Sequence, residues 1–125
     1  NVKRRLQVVI HDPEQITDEL VRVRQAMYQR DPSGENMAHI SVLRQPEPRW
    51  RNRLTEEDLA AIPVPALFVW TDNEPTGDAE EGRRLAGLIP DGEYLLITGA
   101  AHWPQWEGAD RFNPAVVDFL QRKGN

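Results

Sequence analysis

The 125-residue sequence contains no cysteine. That excludes disulfides and thiolate metal sites and fits the cytoplasmic localisation expected here. No apolar stretch approaches the roughly 18 residues of a membrane span. The opening "NVKRRLQVVIHDPEQ" is basic and then apolar, but its apolar part is short and lacks a small-residue cleavage site, so it is not read as a signal peptide. Charge of one sign never accumulates. Lys and Arg number 15 against 20 Asp and Glu, a net −5, and the charges are scattered. Without a basic patch or stripe, a nucleic-acid partner is not expected. Ten prolines and eight glycines punctuate the chain without forming a low-complexity tract, and there is no internal repeat. Histidine is scarce as well. His11 and His39 have no second ligand at metal spacing, so they are assigned no chemistry and no metal is expected. Serine is limited to Ser33 in "DPSGE" and Ser41 in "HISVL", and no G-x-S-x-G occurs.

What is present falls into two unequal parts. The first, residues 1–50, reads as helical. In "TDELVRVRQAMYQR", Thr17 and Asp18 mark a helix N-terminus; Leu20, Val23 and Met27 form an apolar stripe; and Arg22, Gln25 and Gln29 face away. A second short helix is expected over "GENMAHISVLR", and "QPEPRW" is expected to break the pattern because of its two prolines. The second part, residues 51–125, opens with "LTEEDLAAI", where Thr55 and Asp58 resemble a capping box. The continuous apolar run Ala66 to Trp70 predicts a strand buried on both faces, as in a parallel sheet. "GDAEEGRRLAGLI" predicts a helix, with acids first and arginines after them. "EYLLIT" predicts a second buried strand. "RFNPAVVDFLQRK" predicts a closing helix capped by Asn113, with Pro114 at its first position.

A right-handed crossover makes the two strands parallel. Two parallel strands are too few for an independent sheet, so the pattern reads as the end of a doubly wound sheet whose beginning is missing. Ligands bind beyond the carboxyl ends of such strands. After the first strand stand Asp72, Glu74 and Asp78; after the second, in "TGAAHWPQWEG", stands His102. An acid followed by a histidine is the order of the last two members of an α/β-hydrolase triad. The histidine takes the nucleophile's proton, and the acid holds the imidazole in the correct tautomer. By default each of these residues is also readable as a structural histidine or a turn acid.

The segments "ALFVWTDNEPTGDAEEG", "LAGLIPDGEYLLITGAAHWPQWEGADRFNPAVVDFL" and "TDELVRVRQAMY" resemble the C-terminal half of the meta-cleavage-product hydrolases. These are α/β-hydrolases that split carbon–carbon bonds in ring-opened dienoic acids from aromatic degradation. The resemblance covers nearly the whole chain, and "HWPQWE" followed by "FN…DFL" is its most specific part. It implies an α/β fold in which 1–50 is a helical lid and 51–125 the C-terminal part of the core, with the last two parallel strands and their helices. It further implies that His102 is the catalytic histidine, that Trp103 lines the site, and that Arg24 in "TDELVRVR" handles an acidic substrate. Arginine suits that task because its fork grips an oxyacid bidentately. Glu74 stands where the family usually has aspartate, which leaves Asp72 and Asp78 as competitors for the acid. Ala100 replaces the usual glycine two residues before the histidine, a change tolerated unless the turn demands positive φ. Trp106 is expected only to pack.

The nucleophile elbow and oxyanion hole belong to the part of the fold before the lid. The expected parent is therefore a serine-type hydrolase of 2-hydroxy-6-oxo-dienoic acids, with water as co-substrate and no cofactor, and the isolated chain is expected to be inactive. The first residue, asparagine, suggests processing or proteolysis of a longer product. The expected partners are a small carboxylate substrate and either an N-terminal half carrying the serine or a second copy of this chain. The alternatives are an ester or lactone hydrolase of the same fold, or a non-catalytic half-fold that self-associates through its uncovered sheet edge.

Overall fold

The computed structural model describes residues 1–30 and 41–124. The first element is a helix where no helix was expected. Helix α1 (Val2–Val9) is capped by the Asn1 side chain, which accepts from the Lys3 amide at 3.0 Å. It buries Leu6, ends at Ile10 in extended conformation, and is followed by a 3₁₀ turn, Pro13–Gln15, capped by Asp12. Helix α2 (Asp18–Gln29) starts as expected, with Thr17 accepting from the Leu20 amide at 3.1 Å. Leu6, Ile10 and Ile16 form a small buried cluster, and Val2, Val9, Leu20, Val21 and Trp103 close around it.

The face that α2 turns inward differs from the expected stripe. Leu20 packs, but Val23 and Met27 are 50 % and 51 % exposed. The partly buried positions are Leu20, Val21 and Arg24. Both stripes satisfy a helical period. The choice is made by α1, which lies along only one of them.

The expected helix over 34–44 falls largely outside the described residues, and its described end, Val42–Arg44, is a 3₁₀ turn. "QPEPRW" does not break a helix but begins one. Helix α3 (Pro46–Arg51) places Pro46 and Pro48 in its first turn, where backbone N–H groups have no intrahelical acceptor. The division expected at 50/51 falls inside this helix. Helix α4 (Glu56–Ala60) carries the expected capping box: Thr55 Oγ1 accepts from the Asp58 amide, and Asp58 Oδ2 accepts from the Thr55 amide.

The remainder is a strand–helix–strand unit with trailing helices. Strand β1 (Ala66–Thr71) pairs in parallel with β2 (Gly92–Ile97), from Ala66 opposite Gly92 to Thr71 opposite Ile97. Helix α5 (Ala79–Ala86) crosses one face of the pair. Its approach depends on Gly82, because a Cβ there would stand 2.5 Å from the Trp70 ring. Trp70 stacks on Phe68 at 5.7 Å between centroids, and the Tyr94 hydroxyl donates to the Ala79 carbonyl at 2.8 Å.

Helix α6 (Pro104–Glu107) is one turn, and Gly108 separates it from helix α7 (Ala109–Lys123). Helix α7 runs back along β2, held at its ends by Arg111 on Thr98 and Arg122 on Glu93. It begins five residues earlier than the position expected for its first turn, so Asn113 is not its cap and Pro114 lies inside it. The missing N–H of Pro114 costs only the bond to Asp110, an exposed residue in the first turn. Ala66 to Trp70 are half-buried rather than enclosed; complete burial is confined to the carboxyl ends of the strands, at Thr71 and Ile97.

Candidate active site

The loops leaving β1 and β2 are stitched together residue by residue. Thr71 Oγ1 donates to the Ala101 carbonyl at 2.7 Å, the Gly99 amide donates to Asp72 Oδ1 at 2.8 Å, and the Asn73 amide donates to the Ala100 carbonyl at 3.2 Å. The turn needs one positive φ, and it is at Gly99 (+72°). Ala100 has an ordinary conformation and no exposed surface, so alanine is accommodated there.

This stitching carries His102 to Glu74. Nδ1 of His102 lies 3.0 Å from both carboxylate oxygens. An ionised carboxylate only accepts, so Nδ1 carries a hydrogen, and in the neutral ring Nε2 keeps its lone pair. The Glu74 side chain is 11 % exposed and that of His102 48 %. Burial pushes the Glu74 carboxyl up. Hydrogen bonds from the Thr76 hydroxyl and from His102, the His102 charge and the Thr76 amide outweigh it, and the net direction is below the ordinary value. The pair lines a concavity of about 260 Å³ shared with Val69, Thr71, Thr76 and Gln105.

The other two acids are occupied. Asp72 holds the Gly99 amide, and Asp78 caps α5 by accepting from the Glu81 amide at 2.8 Å. Among the three candidates, only Glu74 meets His102. Trp103 leaves this concavity and packs on the Leu6, Ile10 and Ile16 cluster. Arg24 stacks there as well, its guanidinium 5.1 Å from the Trp103 ring and 5.5 Å from the Tyr28 ring. Arg24 and Trp103 line a second concavity of about 160 Å³, with Arg5 and Tyr28 at its edge. The structure thus brings Arg24 to Trp103 rather than to His102. Trp106 does not pack as expected; it is 48 % exposed.

Two features escaped the sequence. The His102 amide donates to the Val9 carbonyl at 3.0 Å, joining the histidine turn to the end of α1. Glu107, the acid of "HWPQWE", accepts from the amides of His11, Asp12 and Ala101. Its position five residues after His102 was the available signal, but nothing local tells a solvated acid from one that collects amides. Ser33 lies outside the described residues. Ser41, before the turn Val42–Arg44, is not among the residues around His102. No group of acids and histidines suited to a metal occurs among the described residues.

Residues 10–109 match the family model for the alpha/beta hydrolase fold. The chain belongs to that family. Its relatives include the 2-hydroxy-6-oxononadienedioate/2-hydroxy-6-oxononatrienedioate hydrolase of Paraburkholderia phymatum, 30% identical over 122 residues, with 96% of this chain and 41% of the relative covered. The 2-hydroxy-6-oxo-6-phenylhexa-2,4-dienoate hydrolase of Delftia acidovorans is 32% identical over 119 residues, covering 95% of this chain and 41% of the relative. Among solved structures, the meta-cleavage product hydrolase CumD of Pseudomonas fluorescens IP01, complexed with acetates, superposes with a TM-score of 0.77 at 27% identity. That superposition covers 97% of this chain and 44% of CumD. The chain resembles the meta-cleavage product hydrolases and spans about 41% of the length of the curated relatives it matches. Its fold is the C-terminal portion of the α/β-hydrolase fold, helices followed by two parallel strands and the helices after them. No helix among the described residues is long and apolar enough to cross a membrane.

Proposed function

We propose that this chain supplies the histidine and the acid of a serine-type α/β-hydrolase that cleaves the C–C bond of 2-hydroxy-6-oxo-dienoic acids. The observation that carries the reading is the His102–Glu74 pair at the carboxyl ends of two parallel strands. His102 Nε2 takes the proton of a serine hydroxyl as the serine, or the water it activates, attacks the substrate ketone. Glu74 holds the ring and stabilises the imidazolium; the C–C bond breaks, the proton passes to the departing carbon, and, where the serine itself attacked, water deprotonated by His102 releases the acyl group from it as a carboxylic acid. Residues 1–50 serve as the helical lid. Arg24 and Trp103, which stack on each other in the neighbouring concavity, bind the substrate, the guanidinium taking the carboxylate end. The serine is expected on a strand–G-x-S-x-G–helix segment, a motif that residues 1–125 do not contain. Alone, the chain does not turn over.

The test pairs this chain with such a segment and follows loss of dienoate absorbance. The chain alone is expected to be silent and the pair active. His102→Ala and Glu74→Gln in the pair are expected to lose about 10⁴-fold in kcat, the scale of triad removal. Activity that survives His102→Ala sinks the proposal. Turnover of simple esters but not dienoates moves the assignment to an ester or lactone hydrolase.

A second reading is favoured by the half-buried strands and by exposed Val23 and Met27: a half-fold that pairs with its own copy. Native mass spectrometry separates the two, as a heterologous polypeptide supports the hydrolase and homo-oligomers alone support the module.

A further inference from the structure

We propose that Glu107 is the positioning residue for His102. One oxygen, Oε1, accepts from the amides of His11 and Asp12; the other, Oε2, accepts from the amide of Ala101 at 2.8 Å. The first two donors lie 96 and 95 residues from it in the chain, the third only six. A carboxylate has lone pairs enough for all three, and its charge makes each bond stronger than an amide–carbonyl bond. Glu107 is itself held, its amide donating to the Trp103 carbonyl at 2.9 Å.

The consequence falls on the peptide that carries the histidine. Glu107 takes the Ala101 amide, and Thr71 Oγ1 donates to the Ala101 carbonyl. The next amide, that of His102, reaches the Val9 carbonyl. Ala101 is thereby held at both its amide and its carbonyl before the chain reaches His102, and the imidazole is delivered to Glu74 with little backbone freedom. The same carboxylate fastens residues 11 and 12 to this turn, so the end of α1 and the histidine move as one unit. The importance of that positioning for catalysis rests on the reading of His102 as the base.

The experiment is imidazole ¹⁵N–¹H correlation on the chain as purified, at about pH 9, where free imidazole is neutral. His102→Gln assigns the signals. Wild-type His102 is expected in the Nδ1–H form. Glu107→Gln keeps the shape but replaces one accepting oxygen with an N–H donor. We expect the His102 Nδ1–H population to fall toward that of free imidazole. We also expect amide exchange at Ala101, or at His11 and Asp12, to rise about tenfold, the scale of one lost hydrogen bond. Leu59→Ala, in the remote helix α4, is the control, since it lowers the melting temperature without touching the turn. A tautomer ratio unchanged by Glu107→Gln, or changed no more than by Leu59→Ala, overturns the proposal and leaves Glu107 a simple brace. Glu74→Gln keeps the two ideas apart. If it shifts the tautomer and Glu107→Gln does not, the pair stands and the positioning role falls. If Glu74→Gln is silent, the pair itself fails, and the positioning role with it.

Discussion

At their carboxyl ends β1 and β2 close on Thr71 and Ile97, both fully buried, with Ala100 and Ala101 packed over them; along their bodies, Ala66 to Trp70 and Glu93 to Leu96 stay half-buried. The same two strands are therefore finished at one end and unfinished elsewhere. The finished end is covered by neighbours that this chain supplies: the Gly99–His102 turn, which receives the Thr71 hydroxyl, and Gly108 against Ile97. The strand bodies are apolar enough for cover on both faces and a neighbour at each edge, which a two-stranded sheet does not provide. The His102–Glu74 pair sits at the finished end.

The sharpest way to break this contrast is a pair of truncations. Ile97→Ala, at a position with no exposed surface, is expected to cost about 2–5 kcal/mol, and Leu67→Ala in the strand body less than half of that. Urea denaturation at fixed protein concentration measures both. If a companion segment covers the sheet, the Leu67→Ala cost measured in the complex should rise toward that of Ile97→Ala. Equal costs in the chain alone would erase the distinction. Gly82→Ala comes next. The added methyl meets the Trp70 ring, so α5 must lift from the sheet, at about 1–3 kcal/mol. A circular-dichroism melt is the readout, and an unchanged midpoint would mean that the strand body is looser than the packing of Trp70 indicates.

Thr71→Val probes the finished end more gently. It preserves shape but removes the donor to the Ala101 carbonyl, and should cost about 1–2 kcal/mol. The His102 ring signals should shift with it. The smallest effect is acid titration. The Glu74 carboxyl titrates below its ordinary 4.5 in the folded chain. The stability it adds is complete above that pH and is lost as pH falls through the lower folded value. Glu74→Gln should therefore flatten the acid limb of a stability–pH curve while lowering the plateau above it. An acid limb as steep as wild type would mean that the pair contributes nothing to folding.

Much of this arrangement was legible beforehand, for local reasons. The apolar runs at Ala66–Trp70 and "EYLLIT" become strands because their length, their β-branched and aromatic content and their polar borders agree. Thr17 and Thr55 cap because their hydroxyls reach amides only three residues away. His102 and the three acids could be placed at the strand ends by chain order alone. What failed locally was decided by neighbours. Helix α1 has no strong start signal beyond Asn1, and it is held by Leu6 against Ile10 and Ile16. Pro46 and Pro114 were read as punctuation at the wrong positions, because a proline is compatible with a first turn, or with an exposed carbonyl four residues back, wherever packing extends the helix. The inward face of α2 was misjudged at Val23 and Met27 for the same reason.

The sequence by itself therefore determined the two strands, the helices with local caps, the family resemblance and the types of residue available at the strand ends, since each depends on spacing along one chain. The tertiary structure alone decided which acid meets His102, that Arg24 stacks on Trp103, and that Glu107 binds the distant amides of His11 and Asp12. Those outcomes depend on distances of about 3–5 Å between residues far apart in the chain. Hydrogen bonds and cation–π contacts act only at such range, and no periodicity or composition encodes it.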